Sequence, residues 1–94
     1  LKQTKENIQA MIDLAKACNT QVVLIAVPQF GVFLSPLPIY EELASDNQLP
    51  LENSVLGDIL GKNQLKSDQI HPNTEGYALF ADRIHKLLQQ SGAI

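Results

Sequence analysis

A chain of 94 residues is long enough for one modest domain, and its 7 basic and 10 acidic side chains are interspersed along the sequence. With a formal net charge of -3 and no cluster of Lys or Arg, the sequence lacks the basic surface that nucleic acid or an anionic membrane would require. The longest apolar run, Val22–Val27, is far shorter than the ~20 residues of a membrane-spanning helix, so no membrane span is predicted.

The first quarter of the sequence predicts a helix followed by a strand. Between Lys5 and Cys18, apolar residues recur at helical spacing with polar residues mostly on the other side, which predicts an amphipathic helix. Cys18 falls on the apolar stripe, so we expect a small buried hydrophobe and not a reactive thiol. Residues Gln21–Val27 predict a central strand of a parallel sheet with both faces covered, and Pro28 ends it.

The next segment predicts a loop and two short elements. Residues 29–37 follow the carboxyl end of the predicted strand, which is where open α/β sheets bind ligands, and they carry several apolar side chains. Pro38 suits the first turn of a helix that runs to about Asp46. Leu49–Leu51 contains a proline, so it predicts a short edge strand and not a central one.

Two further helices are predicted in the C-terminal half. Asn53 or Ser54 can cap a short helix that Gly61 ends. The last helix is predicted to follow an N-cap at Asn73 and to end at Gly92. Its expected apolar stripe, at helical spacing, consists of Tyr77, Phe80, Ala81, Ile84, Leu87 and Leu88.

A carboxylate lies three residues ahead of a histidine just before this last helix. Because Pro72 holds His71 in an extended backbone conformation at a rigid corner, Asp68 can fold back and accept a hydrogen bond from Nδ1 of His71. The Nε2 atom is then free to take a proton from a hydroxyl, as in a serine hydrolase. The spacing alone is equally compatible with a structural interpretation, in which Asp68 caps a turn and His71 packs under the helix.

Other chemical interpretations of this segment lack partners in the sequence. A metal site would need more ligands, but the only other histidine, His85, lies several turns along the last helix and is predicted to be a solvated surface residue. No metal or cofactor is therefore predicted. A triad would need a nucleophile, yet no nucleophile motif surrounds any of the five serines, Ser35, Ser45, Ser54, Ser67 and Ser91.

In combination, these segments resemble the SGNH (GDSL) hydrolases, in particular the arylesterase and thioesterase I/lysophospholipase type. The sequence Asp68-Gln69-Ile70-His71-Pro72-Asn73, followed by a largely apolar helix, is similar to the last block of that family. Four earlier segments resemble, in order, the family's fourth strand, the loop after it, the following helix and the fifth strand: Val22–Pro28, Gln29–Gly31, Ile39–Ala44 and Leu49–Leu51.

This resemblance implies a flavodoxin-like three-layer α/β/α fold with a parallel sheet, of which residues 1–94 would be the C-terminal part of a single domain. It also implies a Ser-His-Asp triad that hydrolyses carboxylic esters or thioesters without a cofactor, with His71 as general base and Asp68 as the acid that orients it. The family's nucleophile, oxyanion-hole glycine and third-block asparagine would all lie upstream of Leu1. The chain alone is therefore expected to be inactive.

The same resemblance places the loop of Phe30 and Phe33 beside an acyl or aryl pocket, with Phe30 as the better candidate for substrate contact. Alternatively, these side chains only cover the edge of the sheet. The implied partner is a small acyl ester or thioester. A bacterial periplasmic or secreted location is compatible with the resemblance, and the sequence does not fix one.

Two further expectations concern the chain by itself. One long edge of the predicted strand Gln21–Val27 has no second partner within these residues, so the isolated chain is expected to form a homo-oligomer. The rival to the hydrolase interpretation is a non-catalytic α/β interaction module, in which the turn between Asp68 and His71 is purely structural.

Overall fold

The computed structural model describes residues 2–29 and 36–94 as a mixed α/β structure with a small parallel sheet. Within these ranges the elements are, in chain order, α1 (Lys2–Ala17), β1 (Leu24–Ile25), α2 (Pro38–Asn47), β2 (Leu51–Glu52), α3 (Val55–Leu60), a 3₁₀ turn (Asn63–Leu65) and α4 (Thr74–Gln90). The predicted order of helices and strands is confirmed. The 3₁₀ turn was not predicted from the sequence.

Three of the helices end in the same way, at a residue with a left-handed backbone. The φ angles of Asn19, Gln48 and Gly92 are 58°, 55° and 83°. After each of them, the next amide donates to a carbonyl five residues back, and the pairs are Thr20 with Ala15, Leu49 with Ala44, and Ala93 with Leu88. These are Schellman motifs, which satisfy carbonyls that a helix end would otherwise leave unpaired. The predicted ends of the first and last helices therefore have a common local cause.

The start of α3 differs from its prediction. Neither Asn53 nor Ser54 caps this helix through its side chain. Instead, Oε1 of Glu52 accepts a hydrogen bond from the amide of Val55 at 3.0 Å. The predicted cap was wrong because a carboxylate at the end of β2 already occupies the position in front of the first turn, where negative charge is favoured. The predicted end is confirmed, since α3 stops immediately before Gly61.

The sheet consists of one short parallel ladder. Leu24 of β1 lies opposite Leu51 of β2, and the amide of Ala26 donates to the carbonyl of Glu52 at 2.8 Å. The predicted strand over Gln21–Val27 is longer than this ladder because strand geometry requires a partner backbone, and β2 offers only two paired residues. In the described residues β1 pairs with β2 alone, so the expected central position of β1 is not observed.

The first core cluster joins α1 and α2 to the sheet. Its buried side chains are Ile12, Leu24, Leu43 and Ala44, with Ile8, Val22, Leu49 and Leu51 packed against them. The two helices also meet through a reciprocal amide pair, in which Gln9 and Asn47 donate to each other at 2.9 and 2.7 Å. This cluster accounts for the helical spacing of apolar residues in the first quarter of the sequence.

The buried stripe of α1 is narrower than the sequence predicts. Cys18 is exposed, so the expectation of a buried cysteine was wrong. It lies just past α1, in the turn that ends the helix, and Met11 and Leu14 are also exposed, at 62% and 68%. Ile12 belongs to the first core cluster, whereas Met11 and Leu14 lie on parts of the α1 surface outside that cluster. No helix in the described part of the chain combines the length and apolarity needed to cross a membrane.

The second core cluster joins α3, the 3₁₀ turn and α4. Its buried side chains are Val55, Ile59 and Leu60, with Leu56, Leu65, Leu79 and Phe80 packed against them. On α4 the contact with α3 includes the buried Gly76, whereas Tyr77 is 55% exposed. Tyr77 was predicted to lie on the buried stripe of α4, and this prediction was wrong. The reason is that α3 and the 3₁₀ turn cover a different part of the α4 surface.

Candidate active site

The Lys66–Pro72 loop joins the 3₁₀ turn to α4 and is closed by its own hydrogen bonds. Its two end residues form an antiparallel bridge, and the amide of Ser67 donates to the carbonyl of His71 at 2.9 Å. Inside the loop, Oδ1 of Asp68 accepts from the amides of Ile70 and His71, both at 2.9 Å. Aspartate favours such turns because its short side chain reaches amides two and three residues ahead.

The same carboxylate also contacts the imidazole ring of His71. The Nδ1 atom lies 2.9 Å from Oδ2 and 3.0 Å from Oδ1 of Asp68. An ionised carboxylate can only accept, so the hydrogen of this bond belongs to Nδ1, and Nε2 of the neutral ring carries the lone pair. The side chains of His71 and Asp68 are 56% and 57% exposed. The ring is thus held in one tautomer at an accessible corner.

The electrostatics of the turn keep Asp68 ionised. The amide of Ile70 is the main cause that holds the pKa of Asp68 below its usual value of 3.8, and the hydrogen bond from the His71 ring adds to it. Desolvation opposes this lowering of the pKa of Asp68, whereas the Coulombic effect of His71 and the hydrogen bond from its amide add to it. The Asp68 carboxylate therefore remains an acceptor throughout the neutral pH range.

The two sequence-based interpretations of this turn prove compatible in part. Asp68 does cap a turn, as the structural interpretation holds, and it contacts the imidazole at the same time. His71 does not pack under α4, however, since more than half of its side chain is exposed. An exposed ion pair contributes little to the stability of a fold. The stability of the fold therefore gives only a weak reason for the contact between Asp68 and His71.

The loop is tied to the rest of the structure through Asn73. Its Oδ1 accepts from the amide of Gly76 at 2.9 Å, which confirms the predicted N-cap of α4. Its Nδ2 donates to the carbonyl of Gln64 at 2.8 Å, and its own amide donates to the carbonyl of Leu65 at 2.9 Å. Asn73 therefore connects the start of α4 to the 3₁₀ turn, a role that the sequence analysis missed.

Gly76 is a second residue that the sequence analysis missed. It is buried in the first turn of α4. A Cβ atom built on it would overlap the carbonyl oxygen of Leu65 and would lie 2.9 Å from Cβ of Pro72 and 3.0 Å from Cγ2 of Ile59. The available signal was the glycine itself, because a glycine within a helix costs up to about 1 kcal/mol relative to alanine and suggests a close approach.

The serine nearest to His71 in the described residues, Ser67, is bonded to the backbone and not to the imidazole ring. The hydroxyl of Ser67 donates to the carbonyl of Pro72 at 3.3 Å, and no serine hydroxyl in residues 2–29 and 36–94 hydrogen-bonds to the imidazole ring. An open groove of about 320 Å³ lies beside the carboxylate, lined by Asn63, Lys66, Ser67, Asp68 and Gln69. Phe30 and Phe33, the predicted substrate-contact residues, lie outside the described residues.

In the described ranges, no side-chain hydroxyl hydrogen-bonds to the imidazole ring of His71. Over these residues no three potential ligands among His, Cys, Asp and Glu are grouped to hold a metal ion, and His85 is exposed on α4, as predicted. No protein-family model matches the sequence, and no curated protein matches it. The geometry of Asp68 and His71 and the sequence pattern around them are thus the observations that bear on function.

Proposed function

We propose that this chain is the C-terminal part of a GDSL-type serine esterase that hydrolyses carboxylic esters or thioesters. His71 and Asp68 form two members of a Ser-His-Asp triad, and the serine and the oxyanion hole come from a segment outside residues 1–94. The observation that carries this proposal is the 2.9 Å contact between Nδ1 of His71 and Oδ2 of Asp68, with the ring exposed at the corner before α4.

The two residues have distinct roles in this mechanism. Nε2 of His71 takes the proton of the attacking serine hydroxyl and then returns it to the leaving alkoxide or thiolate. Asp68 keeps the ring in the tautomer that leaves Nε2 unprotonated, and it stabilises the imidazolium that forms in the transition state. The depressed pKa of Asp68 supports this role, because the carboxylate stays charged while the imidazole changes its protonation state.

The packing of the helices supports the proposed flavodoxin-like fold. β1, α2 and β2 are consecutive elements whose strands pair in parallel, as in a βαβ unit. α1 and α2 share one core cluster with the sheet, whereas α3 and α4 share another. We propose that these two helix pairs are the outer layers of a three-layer α/β/α domain whose further strands pair with the second edge of β1.

A non-catalytic interaction module remains the second candidate, and one observation favours it. The turn is complete without the imidazole, since Oδ1 of Asp68 already accepts from the amides of Ile70 and His71. On that interpretation the ring of His71 has no chemical role. The two candidates differ in what they predict when the ring is removed and the turn is retained.

The experiment uses the longer protein in which this chain is encoded. His71→Ala should lower kcat for p-nitrophenyl acetate or butyrate by on the order of 10⁴, with KM little changed. Asp68→Asn should lower kcat by a smaller factor. His85→Ala is the matched control, because His85 is exposed on α4 and remote from the turn. If His71→Ala keeps most of the ester hydrolysis, the triad assignment is wrong.

The gene itself offers a second, simpler test. A Gly-Asp-Ser segment followed by the family's other blocks, encoded upstream of Leu1 in the same reading frame, supports the hydrolase. An unrelated domain in that place contradicts it and favours the interaction module.

A further inference from the structure

The internal geometry of the Lys66–Pro72 loop and its position in the fold have separate causes. The contact between Asp68 and His71 depends on hydrogen bonds within the loop. None of those bonds fixes where the loop lies relative to α3 and α4. A catalytic histidine must be placed within a fraction of an ångström of its serine, so something outside the loop has to set that position.

The contacts that fix the position of the Lys66–Pro72 loop converge on one carbonyl group, that of Leu65. The carbonyl oxygen of Leu65 accepts from the amide of Asn73 at 2.9 Å. Gly76 lies so close to the same oxygen that a Cβ atom on residue 76 would overlap it. The first turn of α4 thus rests directly on the backbone immediately before the loop. Ile59, which is fully buried in the second core cluster, also lies close to this position, with its Cγ2 3.0 Å from a Cβ atom built on Gly76.

We infer that Gly76 is a positioning residue: its lack of a side chain lets α4 lie against the Leu65 carbonyl, and this contact sets the place of the Asp68–His71 pair in the fold. This inference deepens the proposed function and rests on it. The proposed role of Gly76 is distinct from stabilising the helix, since alanine is intrinsically the better helix residue at position 76. A harmful effect of Gly76→Ala must come from the displaced backbone.

The test compares Gly76→Ala with Gly92→Ala, the same substitution at the other end of α4. Gly92 has a φ of 83° but nothing within 4 Å of its Cβ position, so its substitution strains a helix end without touching the loop. In this chain, amide exchange should show that Gly76→Ala exposes the amide of Asn73, which bonds to Leu65. The amide of Ser67 and the ¹⁵N signature of the His71 tautomer should stay unchanged, because their bonds are local.

In the longer protein, Gly76→Ala should lower kcat on the order of 100-fold, the usual consequence of misplacing a catalytic group by about 1 Å. Gly92→Ala should leave kcat near that of the unmodified protein. A protected Asn73 amide together with an unchanged kcat in Gly76→Ala would overturn the inference. If the unmodified protein hydrolyses no ester, the proposed function fails, and the exchange data on this chain still decide whether Gly76 holds the loop in place.

Asn73→Asp serves as a second variant in case Gly76→Ala prevents folding. Aspartate is as good an N-cap as asparagine, so the bond to the amide of Gly76 is retained. The donor to the carbonyl of Gln64 is lost, and a carboxylate would repel that oxygen. We expect an intact helix by circular dichroism, and we expect the amide of residue 73 to stay protected from exchange, because its bond to the Leu65 carbonyl and the glycine at position 76 are both retained. Loss of that protection in Asn73→Asp would show that the bond to Gln64, and not the missing side chain at Gly76, holds α4 against Leu65, and it would contradict the inference even without data on Gly76→Ala.

Discussion

The region around the first core cluster and the region around the second differ in whether they contain a strand edge that has no partner in the described residues. In the second region, α3, the 3₁₀ turn and α4 enclose Val55 and Ile59 almost fully. In the first region, α1 leaves Met11 and Leu14 exposed, and Val27 just past β1 is 46% exposed. The second region also leaves a large apolar side chain exposed, Tyr77 on α4. Of the two regions, only the first contains the strand β1, whose second edge has no partner within residues 2–29 and 36–94.

This difference matters because the candidate site belongs entirely to the second region. Asp68, His71 and Asn73 all lie between the 3₁₀ turn and α4, and their hydrogen bonds involve partners from that region alone. The geometry of the pair should therefore depend on the second core cluster and be nearly independent of the first. The following predictions test this separation, from the largest expected effect to the smallest.

The sharpest comparison pairs two buried isoleucines. Ile59 is 0% exposed and Ile12 is 1% exposed, so replacing either with alanine should cost about 2–5 kcal/mol of unfolding free energy. Ile59→Ala should also expose the amide of Asn73 to exchange, because Ile59 packs beneath Gly76. Ile12→Ala should leave that amide protected. Equal loss of protection in both variants would show that the two regions unfold as one unit.

A smaller effect is expected from the two predicted helix caps. Asn73→Ala removes the cap of α4 and should cost about 1 kcal/mol. Ser54→Ala is the control, since the hydroxyl of Ser54 makes no cap bond to α3 and its loss should change stability by less than about 0.5 kcal/mol. Chemical denaturation of both variants measures the difference. A loss in Ser54→Ala as large as that in Asn73→Ala would contradict the assignment of the caps.

The incomplete first region predicts self-association of the isolated chain. The second edge of β1 has no strand partner in residues 2–29 and 36–94, and an unpaired edge with apolar neighbours favours pairing with another copy. Val27→Lys should weaken this association, because a charge at an edge opposes strand pairing, by less than about 1 kcal/mol for each like-charge contact. Sedimentation at tens of micromolar is the measurement. A monodisperse monomer of the unmodified chain would contradict the prediction.

The smallest predicted effect concerns acid pH. Because the pKa of Asp68 is lowered in the folded state, its contribution to stability is present above 3.8 and is lost as the pH falls through the depressed value. In His71→Ala, the pKa of Asp68 should rise toward 3.8 without reaching it, since the amide of Ile70 still donates. A ¹³C titration of the carboxyl group measures both values. An Asp68 pKa at or above 3.8 in the unmodified chain would contradict this electrostatic account.

The features that sequence reasoning recovered are those with local causes. The cap at Asn73 and the helix end at Gly92 follow from side-chain and backbone chemistry within a few residues, and so does the contact between Asp68 and His71. The length of β1 and the exposure of Tyr77 depend on which distant backbone or helix lies alongside. Periodicity shows that a residue has an apolar neighbour on one face, but it does not show which element covers that face.

The missed residue Gly76 illustrates the same limit at the candidate site. Its importance arises from the approach of the Leu65 carbonyl, eleven positions earlier in the chain, which no spacing rule anticipates. The contact between Asp68 and His71, by comparison, spans three positions. The contact within the pair could therefore be predicted from sequence, whereas its placement in the fold required the structure.

The most direct test of the proposed triad is labelling with a serine-directed phosphonate probe, followed by mass spectrometry of the adduct. In the longer protein that the proposed function implies, the probe should modify one serine outside residues 1–94, and His71→Ala should abolish the labelling while His85→Ala leaves it unchanged. The 94-residue chain alone should not be labelled. Labelling that is independent of His71, or stoichiometric labelling of a serine within this chain, would contradict the assignment of His71 as the base of a serine hydrolase.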